Sequence, residues 1–238
     1  IHSADNALDA IQQARKAGFA RVNVDLMHGL PEQTVEQALS DLKLAVQQGA
    51  THISWYQLTI EPNTVFFRTQ PVLPLDDVLE QIQAEGEAYL TAQGYVNYEV
   101  SAWRKELPST HNLNYWQFGD YLAIGAGAHG KVTRPEGIYR FQKTRLPKDY
   151  LAKVPAEHAQ MKAIAAEELP FEFMMNALRL NEGVDAKLYN ERTGLNLNDL
   201  DDILKPLREK KLLSAAPDRI ACTPQGHVFL NSVLQEFL

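Results

Sequence analysis

The sequence has a single cysteine, Cys222, so it can form no disulfide framework and no cysteine-held metal cluster of its own. A lone thiol suits a reducing compartment, and a cytoplasmic location is expected. No signal peptide is expected, and no apolar run reaches about 18 residues, so the chain is not expected to be a membrane protein. Basic residues are the minority, with 23 Lys and Arg against 30 Asp and Glu and a net charge of −7. That balance argues against nucleic acid as a partner and against an anionic membrane surface. The seven histidines show no H-x-x-x-H metal spacing. Ser54, Ser101 and Ser109 sit in no G-x-S-x-G nucleophile elbow.

What the chain does have is alternation. Its 238 residues, 45% of them hydrophobic, suffice for one large domain or two smaller ones. Residues 21–34 read R-V-N-V-D-L-M-H-G-L-P-E-Q-T. Val22, Val24 and Leu26 mark a buried strand over 19–26, and Gly29-Leu30-Pro31 mark the turn after it. Asp25 and His28 fall at the strand's expected carboxyl end, where such units carry ligands and chemistry. Asp25 either binds a polar ligand there or caps its own turn; a carboxylate at that place is costly without a partner.

Ser3 can cap a helix over 4–17, ended by Gly18; Thr34 with Gln37 forms a capping box for a second helix, ended by Gly49. A strand follows at 52–58, then a Pro-rich loop, a helix over 76–93 ended by Gly94, and a strand at 95–101. Helix, glycine and strand thus recur in order, which implies parallel strands with right-handed crossovers. A closed barrel of this kind needs about eight such units. With fewer here, and a helix first, the expectation is the C-terminal part of an incomplete (β/α) barrel; a small open sheet is the alternative.

Between 102 and 150 the pattern changes, with short strands expected at 121–124, 131–133 and 138–142 as antiparallel extensions of the sheet, and a surface connection at 148–155. From about Met161 the chain turns helical: 168–180, 186–193 capped by Asp185, and 197–211. Two short strands, 212–215 and 219–223, then form a wing, and a last helix starts at Pro224. Three helices and a wing make a winged-helix pattern, whose usual partner is DNA. The third helix is acidic where a recognition helix would meet phosphates, so a packing module is expected instead. The domains are therefore expected at 1–155 and 156–238.

Two clusters carry chemistry. Gly125-Ala126-Gly127-Ala128-His129-Gly130 fits G-x-G-x-x-G, but Lys131-Val132-Thr133-Arg134-Pro135 follows where a dinucleotide fingerprint needs a helix. Those glycines instead allow close backbone packing or the approach of a flat ligand. His111-Asn112-Leu113-Asn114-Tyr115-Trp116 gathers an imidazole, two amides and two aromatic rings. It suits either a planar ligand carrying a metal or an aromatic core cluster with a hydrogen-bonded histidine.

Residues 22–34, 52–64 (H-I-S-W-Y-Q-L-T-I-E-P-N-T), 98–101 (Y-E-V-S), 111–116 and 120–130 (D-Y-L-A-I-G-A-G-A-H-G) resemble the radical S-adenosylmethionine family of oxygen-independent coproporphyrinogen III oxidases and their relatives. So does Thr223-Pro224-Gln225-Gly226, and the likeness runs along essentially the whole chain. H-N-L-N-Y-W and G-A-G-A-H-G resemble the heme-chaperone branch rather than the oxidase branch. The resemblance implies S-adenosylmethionine and a [4Fe–4S] cluster in the intact parent, and heme as ligand. It implies as partner a heme-accepting protein, which can itself be membrane-associated. Asp25 matches the family's S-adenosylmethionine-binding aspartate, and Tyr56 falls where its second cofactor-facing strand ends. His111, with Asn112, Tyr115 and Trp116, matches the heme motif, with His111 as a heme-iron ligand. The alternative the resemblance allows is the oxidase (dehydrogenase) of heme biosynthesis. The family's cluster cysteines belong on a first strand–loop that this sequence does not contain, so the chain alone is expected to be inactive as a radical enzyme.

Overall fold

A computed structural model describes residues 4–153 and 159–238; the cap expected at Ser3 and the boundary expected at 155/156 lie outside them. The chain divides into two compact units, Ile1–Ser109 and Thr110–Leu238. The first contains α1 (Ala4–Lys16), β1 (Asn23–His28), α2 (Val35–Gln47), β2 (His52–Gln57), α3 (Val65–Thr69), α4 (Asp76–Ala92), β3 (Val96–Glu99) and β4 (Ala102–Arg104).

The capping box forms as the sequence requires: Thr34 accepts from the Gln37 amide, and Gln37 accepts from the Thr34 amide. The apolar stripe of α2 then packs with α4 on one face of the sheet. Leu42, Ile53, Ile82 and Leu90 are fully buried there with Trp55, Tyr95 and Trp103, and Val24 and Leu26 pack against them. Burial of each such aliphatic side chain stabilises by about 1.5–3 kcal/mol. Gly86 lies inside α4 because Trp55 demands it: a Cβ there would stand 1.9 Å from the indole ring.

β1 and β2 run parallel, as expected. β2 and β3 also share a direction, but they are not neighbours. β4, a return strand the sequence reading did not foresee, pairs antiparallel with both, giving the order β1-β2-β4-β3. Ala102-Trp103-Arg104 is too short to show a period of its own, so its strand character comes from pairing on two sides. A second correction concerns β1, which runs to His28 rather than ending near 26, because Met27 and His28 pair with Tyr56 and Gln57. Asp25 is therefore mid-strand and does not cap the turn. The Pro-rich loop also contains a short helix, α3, started by Thr64, whose hydroxyl accepts from the Phe67 amide at 3.1 Å.

The second unit contains α5 (Thr110–Trp116), β5 (His129–Arg134), β6 (Gly137–Lys143), α6 (Pro147–Ala152), β7 (Ala159–Ala163), α7 (Leu169–Ala177), β8 (Val184–Asp185), α8 (Lys187–Thr193), α9 (Asp201–Glu209), β9 (Arg219–Ile220), α10 (Pro224–Val228) and α11 (Leu230–Gln235). β5, β6 and β7 form their own antiparallel sheet, not an extension of the first. Residues 121–124 form no strand; Tyr121 alone bridges to Lys131. The expected surface connection holds α6. Met161, expected near a helix start, lies in β7, because its stretch pairs with β6. Residues 110–153 fall in the same compact unit as the C-terminal helices.

α7 buries Phe173, Met174 and Ala177, and Phe173 meets the Tyr189 ring edge-on at 5.2 Å. Asp185 accepts from the Lys187 amide at 2.8 Å, as a cap should, and Gly194 closes α8 at φ 75°. The helix expected over 197–211 opens as a 3-10 turn, Leu197–Leu200, before α9. β9 pairs with β8, while Leu213 and Cys222 form a bridge, so the expected wing strands share a small β structure with the segment before α8. The last helix is two, α10 and α11, broken at Phe229.

Candidate functional site

The parallel register of β1 and β2 puts Asn23, Asp25 and Met27 beside His52, Ser54 and Tyr56 on the sheet face away from α2 and α4. Asp25 and Tyr56, singled out from sequence, thus share one face. Asp25 is exposed; Tyr56 is 40% and Met27 44% exposed, and the latter two pair directly across the strands.

A chain of hydrogen bonds lies behind Asp25. The Asn23 side-chain nitrogen donates to Asp25 Oδ1 at 2.9 Å, and a carboxylate can only accept. The Asn23 oxygen therefore faces His52 Nδ1 at 2.6 Å and also accepts from the Ser54 hydroxyl at 3.2 Å. The second ring nitrogen of His52, Nε2, is 2.7 Å from the Tyr98 hydroxyl. His52 is buried, and burial lowers its pKa to about 4, with Asp25 pulling it up and Arg21 pulling it down. His28 also ends up buried with its pKa lowered to about 4 by burial, but on the opposite face, 4.2 Å from the Trp55 ring. It is not part of the Asp25 site.

His52, Asn23, Ser54 and Tyr98 were missed from sequence. The available signal was the polar alternation N-x-D in β1 and H-x-S-x-Y in β2, which marks a second, non-core face. Glu99 ends β3 and is buried, accepting from the Ser101 amide at 3.1 Å. A groove lined by Gln57, Asp76, Glu80, Gln83 and Glu87 is acidic and holds none of the residues singled out from sequence.

In the second unit, α5 carries the whole second cluster. His111 is exposed on its first turn, with its ring 4.7 Å from Tyr115, and Tyr115 lies 4.2 Å from Tyr121. Trp116 sits under the Arg179 guanidinium at 4.4 Å, and its indole nitrogen is buried with no hydrogen-bond partner among the described residues. Asn112 stands on the same helix between His111 and Leu113. The turn after α5 is close-packed: Gly119 leaves no room for a Cβ, which would lie 2.2 Å from the Asn114 side-chain oxygen. Asp120 then takes the Lys131 ammonium at 2.8 Å and both the amide and hydroxyl of Thr133 at 2.7 and 2.9 Å. Burial alone would raise the Asp120 pKa, but these hydrogen bonds outweigh it and hold the carboxyl below the usual range.

No helix follows Gly130; β5 begins there, and Gly130 lies flat against the Phe141 ring. That agrees with rejecting the dinucleotide fingerprint and with the close-packing role for this glycine. Among the described residues no group of three or more His, Cys, Asp or Glu is placed to hold a metal ion. Cys222 is buried, and burial pushes its thiol pKa up to about 12.

Comparison with known proteins bears on both units. Residues 164–229 match the HemN C-terminal domain family. The whole chain aligns with the protein "Heme chaperone HemW" of Haemophilus influenzae at 45% identity, over 62% of that protein. The Escherichia coli protein of the same name aligns with all of the chain at 44% identity, over 63% of its length. Along its whole length the chain is similar to part of these two proteins. It spans about three-fifths of the length of these curated relatives. Among solved structures, the Escherichia coli coproporphyrinogen III oxidase HemN, titled a radical SAM enzyme, matches all of the chain with a TM-score of 0.75. Identity there is 18% over 59% of that chain, so this match establishes the mixed α/β fold. Among the described residues no helix is long and apolar enough to cross a membrane.

Proposed function

We propose that the chain is part of a heme chaperone that binds heme and passes it to an acceptor protein. Whole-length identity of 44–45% to proteins named heme chaperones carries this reading. The α5 cluster supports it chemically. An exposed imidazole offers a ligand for heme iron, and the Tyr115 ring beside it offers an aromatic neighbour for a planar macrocycle, while Trp116, with one face under Arg179, backs the cluster. Asn112 supplies an amide beside them. When bound, heme would supply the iron that His111 ligates; the protein's part is to orient and release it.

The first unit supports a second role, an S-adenosylmethionine site. Asp25 holds one carboxylate oxygen to Asn23, and its other oxygen has no partner among the described residues. The neighbouring Met27–Tyr56 pair offers an apolar shelf. We read this face as the inner wall of a radical-SAM-type barrel, and the helices and short strands from 156 onward as a winged-helix-like module. A [4Fe–4S] cluster does not fit this chain: its one thiol is buried and resists ionisation. No radical step is therefore assigned to these residues. The cluster would belong to the intact parent, and the location would be cytoplasmic.

A second reading has one observation in its favour. The fold match to HemN fits a coproporphyrinogen III oxidase, which would act on porphyrinogen propionates. Its 18% identity is well below that of the heme chaperones. Titration of the purified chain with heme separates the two. The chaperone reading expects a Soret shift that weakens in His111→Ala; an unchanged shift in that variant removes His111 from the site.

A further inference from the structure

The hydrogen bonds behind Asp25 run in one direction only. Asn23 must donate from nitrogen, because Asp25 can only accept, and its oxygen must then accept from His52 Nδ1. His52 is thereby committed to the Nδ1–H tautomer, and its Nε2 accepts from the Tyr98 hydroxyl. The Ser54 hydroxyl gives the Asn23 oxygen a second donor, so the amide has no alternative orientation that satisfies as many groups. An amide turned the other way would set its oxygen against the Asp25 carboxylate, acceptor against acceptor, while His52 and Ser54 behind it are buried from solvent.

We infer that Tyr98 and His52 are positioning residues: they lock the Asn23 amide so that it holds one oxygen of Asp25 and presents the other to the ligand. This rests on the reading of Asp25 as part of an S-adenosylmethionine site. Both residues are buried. Their effect is to fix the carboxylate's rotamer before binding, which lowers the ordering cost of association. Burial, which keeps His52 neutral near neutral pH, is consistent with a ring that both donates and accepts.

Two measurements on the full chain test this. Long-range nitrogen–proton NMR of the unliganded protein should show His52 with Nδ1 protonated and Nε2 bare; the opposite tautomer overturns the relay. Calorimetric titration with S-adenosylmethionine should then rank two replacements. His52→Asn keeps an amide donor where Nδ1 was and should bind within about twofold of the parent. His52→Gln places its amide where Nε2 was, loses the bond to Asn23 and should bind about tenfold more weakly. If His52 only fills space, Gln, the larger side chain, is the better replacement, and that order overturns the proposal. A flat titration of the parent chain beside the expected tautomer overturns the ligand reading of Asp25, and the relay's purpose with it. An inverted tautomer beside normal binding overturns the relay alone.

Discussion

Asp25 and Asp120 sit in different compact units and are held in opposite ways. Asp120 gives both oxygens to the protein, one to Lys131 and both to Thr133 donors, and Lys131 is itself buried against the Phe118 ring. Asp25 gives one oxygen to one amide and keeps the other for solvent or ligand. The same residue type is tied down at both oxygens in the second unit and left exposed with one oxygen open in the first. What separates them is how many donors the surrounding residues bring to the carboxylate. Each unit's histidines differ likewise: His52 is buried and bonded at both ring nitrogens, while His111 stands exposed on a short helix.

The largest expected effect sharpens this contrast through acid. His28 and His52 are both buried with pKa values lowered to about 4, so the unfolded chain binds protons that the folded one refuses. Stability is fully present above the ordinary histidine value of about 6.5 and is lost as pH falls from there toward 4, by about 2 kcal/mol per group at pH 5. Both residues are in the first unit. Amide-exchange protection should therefore fall more in β1 and β2 than in β5 and β6 between pH 7 and pH 5. The depressed Asp120 carboxyl acts lower: its contribution is present above the usual Asp value and lost only as pH drops through its own lowered pKa.

Asp120→Asn comes next in size. It leaves the buried Lys131 ammonium without its counter-charge. Because Asp120 itself is half exposed, the loss should be about 1–3 kcal/mol in urea unfolding rather than the larger cost of a fully buried pair. Asp25→Asn should cost under about 0.5 kcal/mol by the same measurement, since the site is exposed. Equal losses at the two aspartates would break the distinction drawn here. Gly86→Ala should cost about 1–3 kcal/mol through contact with Trp55, whereas a change at the open Gly137 meets no neighbour and acts only through its φ of 146°.

The sequence made the helices and their caps readable because those signals are local: Thr34 with Gln37, Asp185, Gly18, Gly94 and Gly194 each act within a turn. It also singled out Asp25, Tyr56 and the α5 cluster as candidates, through the resemblance of short motifs. β4 was not readable, because Ala102-Trp103-Arg104 is a strand only by virtue of two partners distant in sequence. The second sheet was misassigned for the same reason, since β7 is identified by its pairing with β6 and not by its own residues. The relay through Asn23, His52 and Tyr98 joins three strands' worth of polar residues, and only the register brings them together.

The central claim is that the chain carries two separate ligand sites, one in each unit, and a crossed titration tests it most directly. Heme, followed at the Soret band, and S-adenosylmethionine, followed by calorimetry, are each titrated into the parent chain, His111→Ala and Asp25→Asn. The account predicts that His111→Ala weakens heme binding and leaves S-adenosylmethionine unchanged, and that Asp25→Asn does the reverse. Heme binding with an unaltered Soret shift in His111→Ala, or S-adenosylmethionine binding untouched in Asp25→Asn, would contradict it.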